Sequence, residues 1–171
     1  MDTKLEPIVQ ALQEKFGVTS EEFRGETHVF VQVENIIEAL TLLRDKYDFE
    51  LLSAMTAIDF WPQVSPRFHV IYQLTSLARN LSLQLRVLLD GNDPHIPTAV
   101  GVYAVANWRE RELRDMFGIV PNGHPDLRIL LLPDGWEDKH PLRKDFPLGY
   151  EEVQFTFNFD EINLRKPYAK E

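Results

Sequence analysis

The chain has 171 residues, a formal charge of −9 (18 Lys and Arg against 27 Asp and Glu), 44% hydrophobic residues and no cysteine. That length supports one real core, and the negative charge argues against nucleic acid or anionic lipid as a partner. The absence of thiols excludes disulfides, Cys-type zinc sites, thiolate-held iron–sulfur clusters and a cysteine nucleophile.

Leu5, Ile8, Val9, Leu12 and Phe16 recur at helical spacing and Gly17 follows them, so residues 4–16 are predicted as an amphipathic helix. This N-terminal stretch contains no continuous apolar region of the kind that signals export, and no membrane span is visible, so the chain is expected in the cytoplasm. Val29, Val31 and Val33 alternate with polar or aromatic neighbours, predicting a strand over 28–34 that can form a hairpin with 19–25. A second helix is expected from Ile36 to about Lys46. Three extended runs follow, 49–60, 67–75 and 80–89, joined by linkers short enough for antiparallel neighbours. The order helix, two strands, helix, three strands predicts an α+β fold, a two-layer domain with helices packed on a mixed sheet.

The segment DGNDPHIPT is rich in turn formers and is expected to be a loop, with short helices resuming over 99–103 and 107–117. Asn107 and Glu110 have capping-box spacing, and Gly118 stands where a left-handed terminating residue is wanted. From Pro121 the period is lost: six of the 11 prolines fall in 121–171. Residues 1–120 are therefore expected to form the α+β domain and 121–171 an extended C-terminal arm. Trp136, Phe146, Tyr150, Phe155, Phe157, Phe159 and Tyr168 give this arm too many apolar groups for ordinary disorder, so it is expected to wrap a partner's surface.

The densest charge pattern is WRERELRDMF (108–117), where Glu110 and Arg114, and Arg111 and Asp115, stand four apart. It reads either as a solvated face with weak ion pairs or as a charge network buried at a subunit contact. Glu110 and Glu112 point away from each other on a helix and make a poor acid–base pair. His124, Asp126, Asp138 and His140 include metal-ligand types, but their spacing is not diagnostic and they read as hydrogen-bonded loop residues; His28, His69 and His95 read as structural. No nucleophile elbow, phosphate-binding loop or dinucleotide fingerprint occurs. Pro141–Pro147 reads as a stiff segment in which Arg143 presents its guanidinium and Phe146 its ring.

Three blocks, ERELRDMFGI (110–119), GHPDLRILLLPDGW (123–136) and HPLRKDFPL (140–148), together resemble the signature of the 30 kDa subunit family of respiratory complex I, the C-type subunits of NADH-quinone oxidoreductase. One departure is Ile129, where many relatives carry a second basic residue after Arg128. The resemblance implies a peripheral-arm subunit on the cytoplasmic side of the bacterial inner membrane. It implies docking on the 49 kDa-type (D-type) subunit and no catalytic, cofactor or metal site in this chain. FMN, iron–sulfur clusters and quinone are expected in partner subunits. The polar interface residues it implies are Glu110, Arg111, Glu112, Asp115, His124, Asp126, Arg128, Arg143, Lys144 and Asp145, with Trp136 and Phe146 as apolar anchors. Two alternatives stand beside it: the equivalent subunit of a membrane-bound hydrogenase or other-donor oxidoreductase, and a stand-alone metal-dependent hydrolase using His124, Asp126 and His140.

Overall fold

The computed structural model describes residues 3–133, 135–136, 139–146 and 160–161. Helix α1 (Glu6–Phe16) starts with Pro7 in its first turn, where a missing N–H is harmless. It ends at Gly17, whose φ of 64° lets its N–H close on the Gln13 carbonyl. Strands β1 (Thr19–Phe23) and β2 (Glu26–Val31) form the expected antiparallel hairpin. The strand predicted over 28–34 stops at Val31, because Val33–Asn35 coil into a 3₁₀ turn that delivers the chain to α2 (Ile36–Tyr47). Strands β3 (Leu51–Asp59), β4 (Phe68–Ser76) and β5 (Leu81–Leu89) lie within a residue or two of their predicted positions.

The five strands form one mixed sheet in the order β1-β2-β5-β4-β3. Only the β2–β5 pairing is parallel, aligning Val29 with Leu85 and Val31 with Val87. Leu83, Leu85 and Val87 of β5 and Val70, Tyr72 and Leu74 of β4 bury on the face that meets Ile8 and Leu12 of α1 and Ile36, Leu40 and Leu43 of α2. The opposite face carries the half-buried His69, Gln73, Gln84 and Arg86. This is the two-layer α+β domain that the strand and helix periods predict.

Two local expectations are corrected beyond β5. The loop over 90–98 contains β6 (His95–Pro97), which pairs in parallel with β7 (Val120–Asn122). Three-residue strands flanked by proline leave no alternation to read. The helix expected at 99–103 is a single turn, with the N–H groups of Val102 and Tyr103 both donating to the Ala99 carbonyl. Helix α3 (Ala106–Phe117) follows, with Leu113 and Phe117 on the common core and Gly118 (φ 69°) as its stop.

Candidate functional site

The capping box expected from Asn107 and Glu110 does not form: α3 begins at Ala106 after Val105, with no side-chain cap. Glu110 points inward instead. Its side chain is fully buried and accepts from the Thr98 hydroxyl at 2.5 Å and the Ala99 N–H at 2.6 Å, so it anchors the turn before the helix. Burial pushes its pKa up, against the opposing pull of Thr98 and Ala99. The His124 ring is also buried, with Nε2 at 3.1 Å from the Asn107 carbonyl and 3.9 Å from Glu110 Oε2, while the Asp126 N–H donates to Nδ1.

Three more charges of α3, Arg111, Arg114 and Asp115, reach along its flank to the backbone of the segment that follows. Arg111 donates to the carbonyls of Arg128 (2.8 Å) and Ile129 (2.9 Å), and Arg114 donates to that of Leu127. Asp115 Oδ2 accepts from the N–H groups of both Leu130 and Leu131 at 2.8 Å. The expected i,i+4 partners are thus engaged elsewhere. Glu110, Arg111 and Asp115 are buried and Arg114 half-buried, as one reading of the helix had it for the whole set, but against residues 98–99 and 127–131 of the same chain. A strap of backbone with no strand or helix of its own has its polar groups satisfied by side chains.

The second contact lies at the C-terminal end of α3. His140 Nδ1 sits 3.0 Å from the Asp115 carbonyl, the Leu142 N–H donates to the Met116 carbonyl, and Arg143 Nε donates to the Phe117 carbonyl at 2.5 Å. These groups close over Gly118: a Cβ built there meets His140 Nε2 at 2.5 Å and Arg143 Nη2 at 2.6 Å. Burial lowers the Arg143 pKa, and Arg67 nearby adds to this.

The chain then meets an ion network that motif reading missed. Arg67, immediately before β4, pairs with both oxygens of Asp59 (2.9 Å each) and with Asp145 (2.6 and 3.0 Å). Asp59 also accepts from the Lys144 and Trp61 N–H groups. Burial pushes the Asp59 carboxyl up, but the bonds from Arg67, Lys144 and Trp61 outweigh it and hold the pKa at about 2. The Arg67 hydrogen bond, working against burial, likewise lowers Asp145, and both carboxylates raise Arg67. The only signal for this cluster was an acid ending one strand and a base beginning the next, eight residues on.

The other interface candidates are more exposed. Asp126 and Arg128 pair with each other, and Arg128 holds the Asp126 pKa down to about 2. Glu112 pairs with Arg109 at 3.4 Å. The half-buried Trp136 and Phe146 rings lie 6.1 Å apart and tilted, and Lys144 is exposed. Among the described residues no three His, Asp or Glu side chains are grouped to hold a metal, so His124, Asp126 and His140 are not brought together as the hydrolase reading requires. Asp138, Tyr150, Phe155, Phe157, Phe159 and Tyr168 lie outside the described residues.

Residues 29–152, which include α3, the strap and the ion network, match the family model described as respiratory-chain NADH dehydrogenase, 30 Kd subunit. The chain belongs to this family. It is 43% identical over 171 residues to the C-type subunit of NADH-quinone oxidoreductase from Roseiflexus sp. (strain RS-1), covering 99% of this chain and 97% of that relative. Among solved structures it is similar to the trypsin-resistant fragment (1-134) of Nqo5, with TM-score 0.65 and 31% identity over 73% of this chain and 100% of the fragment. It shares its fold with a chain of an archaeal membrane-bound sulfane sulfur reductase, with TM-score 0.74 and 18% identity over 99% of this chain and 97% of that one.

Proposed function

We propose that the chain is a non-catalytic peripheral-arm subunit of a proton-translocating NADH:quinone oxidoreductase. It docks on the 49 kDa-type subunit and supports electron transfer from NADH to quinone by assembly rather than by chemistry. One observation carries this reading: the buried and half-buried ionisable groups of the signature helix, Glu110, Arg111, Arg114 and Asp115, are engaged in holding the chain's own backbone. A nucleophile, acid or ligand must be free to meet a substrate, whereas these groups position a surface. Large apolar side chains such as Trp108, Leu131 and Leu142 are exposed on that surface, as a docking role requires.

FMN, iron–sulfur clusters and quinone then reside in partner subunits. Attachment to the cytoplasmic side of the inner membrane is indirect, and among the described residues no helix is long and apolar enough to cross a membrane. The trypsin-resistant fragment of the Nqo5 relative fits a body that holds together without the end of its chain.

The test is native purification from membranes through a tag on this chain. Flavin-binding, cluster-binding and quinone-site subunits should copurify, and NADH oxidation should belong to the complex and not to the isolated chain. Recovery as a lone monomer that turns over substrate would overturn the proposal. The identity of the electron-input subunit separates NADH from another donor.

A further inference from the structure

We infer that His124 is a proton-operated latch between α3 and the strap: the neutral ring holds both, and the protonated ring keeps the helix and lets the strap go. This goes beyond the function proposed above and does not depend on it.

The hydrogen bonds at the two ring nitrogens leave one tautomer. Nε2 lies 3.1 Å from the Asn107 carbonyl, which only accepts, so Nε2 carries the proton. Nδ1 lies 3.0 Å from the Asp126 nitrogen, whose N–H only donates, so Nδ1 is bare. The ring therefore grips the first turn of α3 as a donor and the strap as an acceptor. Its side chain is fully buried, so bulk water does not substitute for either bond.

Adding a proton changes only one of the two grips, because an imidazolium donates from both nitrogens. The Nε2 side is kept and gains: the Glu110 carboxylate, equally buried on the same helix, lies 3.9 Å away. The Nδ1 side is reversed. A new N–H there meets the Asp126 N–H head-on, two donors with no acceptor between them. The helix side stays attached, so it is the turn at 124–126 that has to move.

The charges around the ring fit this division. On α3, Glu110 faces Nε2, while Arg111 is turned to the carbonyls of Arg128 and Ile129. On the strap, the Asp126 carboxylate is already bonded to Arg128 at 2.7 Å. The turn at 98–99 brings the Thr98 hydroxyl, which donates to Glu110, and no charge. From the sheet, Tyr72 lies within electrostatic reach of Glu110 and stays neutral, because burial pushes its pKa well up. The residues beyond the turn, 127–131, are the backbone that Arg111, Arg114 and Asp115 hold, so the latch stands at the head of the strap.

The test is nuclear magnetic resonance on the full chain, titrated through the range in which imidazoles take up a proton. At the alkaline end the ring nitrogen signals of His124 should show the Nε2–H tautomer. As the ring is protonated, protection of the Asp126 amide from hydrogen exchange, corrected for the intrinsic rate, should fall about tenfold. The Leu85 amide in β5 should keep its protection, and the Ala99 amide, which Glu110 holds, reports titration of that acid separately. His124→Gln keeps a donor and an acceptor but takes up no proton, so its Asp126 protection should not change with pH. An Nδ1–H tautomer, an Asp126 amide unprotected at every pH, or Asp126 protection that survives ring protonation overturns the inference. So does a His124→Gln variant with the wild-type pH dependence. The wild-type ring and amide signals decide alone where glutamine fails to seat in the buried site.

Discussion

Replacing Arg67 by methionine keeps much of the side-chain volume and removes the one guanidinium shared by Asp59 and Asp145. Asp59 is 3% exposed and Arg67 5%, so the change strands a buried carboxylate whose remaining partners are the N–H groups of Trp61 and Lys144. Removing one partner of a buried ion pair costs about 3–5 kcal/mol, a large part of a small domain's total stability. Asp59→Asn should cost less, because Arg67 keeps Asp145. The double variant Asp59→Asn/Arg67→Met should be milder than Arg67→Met alone, since no buried charge is left unpaired.

The same network sets an acid limb. Asp59 is held at about 2 in the folded state against 3.8 for the free group, and Asp145 is lowered as well. Both therefore add stability above the ordinary carboxylate pKa, and that stability is lost as the pH falls towards about 2. For Asp59 it is worth roughly 2 kcal/mol. Urea unfolding followed by circular dichroism, at neutral pH and through the acid range, measures both effects. A loss below about 1 kcal/mol for Arg67→Met, the level of an exposed pair, or an unchanged acid limb in that variant, would refute the reasoning.

Asp115→Ala should leave the fold intact but free the Leu130 and Leu131 amides. At about 1.5–3 kcal/mol per charge-assisted bond, their hydrogen exchange should quicken by roughly tenfold to hundredfold, with core strands unaffected. Glu110→Ala leaves the Ala99 N–H and Thr98 hydroxyl without their acceptor and should lower stability by about 2–4 kcal/mol, read by thermal unfolding. The pH effect of Glu110 has the opposite sign to that of Asp59: its folded pKa is raised, so its contribution falls as the pH rises through that value. Gly118→Ala meets both a positive φ and the ends of His140 and Arg143. It should cost about 1–2 kcal/mol in backbone strain alone and speed proteolysis at 140–146.

The α3 signature was legible as a sequence block, and its family could be read from it, but the destinations of its charges could not. Glu110 and Arg114 stand at ion-pair spacing, yet the structure sends one to Thr98 and Ala99 and the other to Leu127. A carboxylate that meets backbone N–H groups in a dry site gains more than one facing an exposed arginine, and nothing in the local sequence announces which backbone will arrive. The same holds for Asp59 and Arg67: adjacent strand ends are visible, whereas the arrival of Asp145 from 78 residues downstream is not.

The sequence by itself determined helices α1, α2 and α3, the course of the main strands and the stops of α1 and α3, because apolar period and left-handed glycines such as Gly17 and Gly118 act over a few residues. Tertiary structure alone decided the parallel β2–β5 seam, the short β6–β7 pair and the laying of residues 127–131 and 140–146 on their own domain. Each of these joins groups remote along the chain through hydrogen bonds and charges, and such contacts leave no period in the residues that make them.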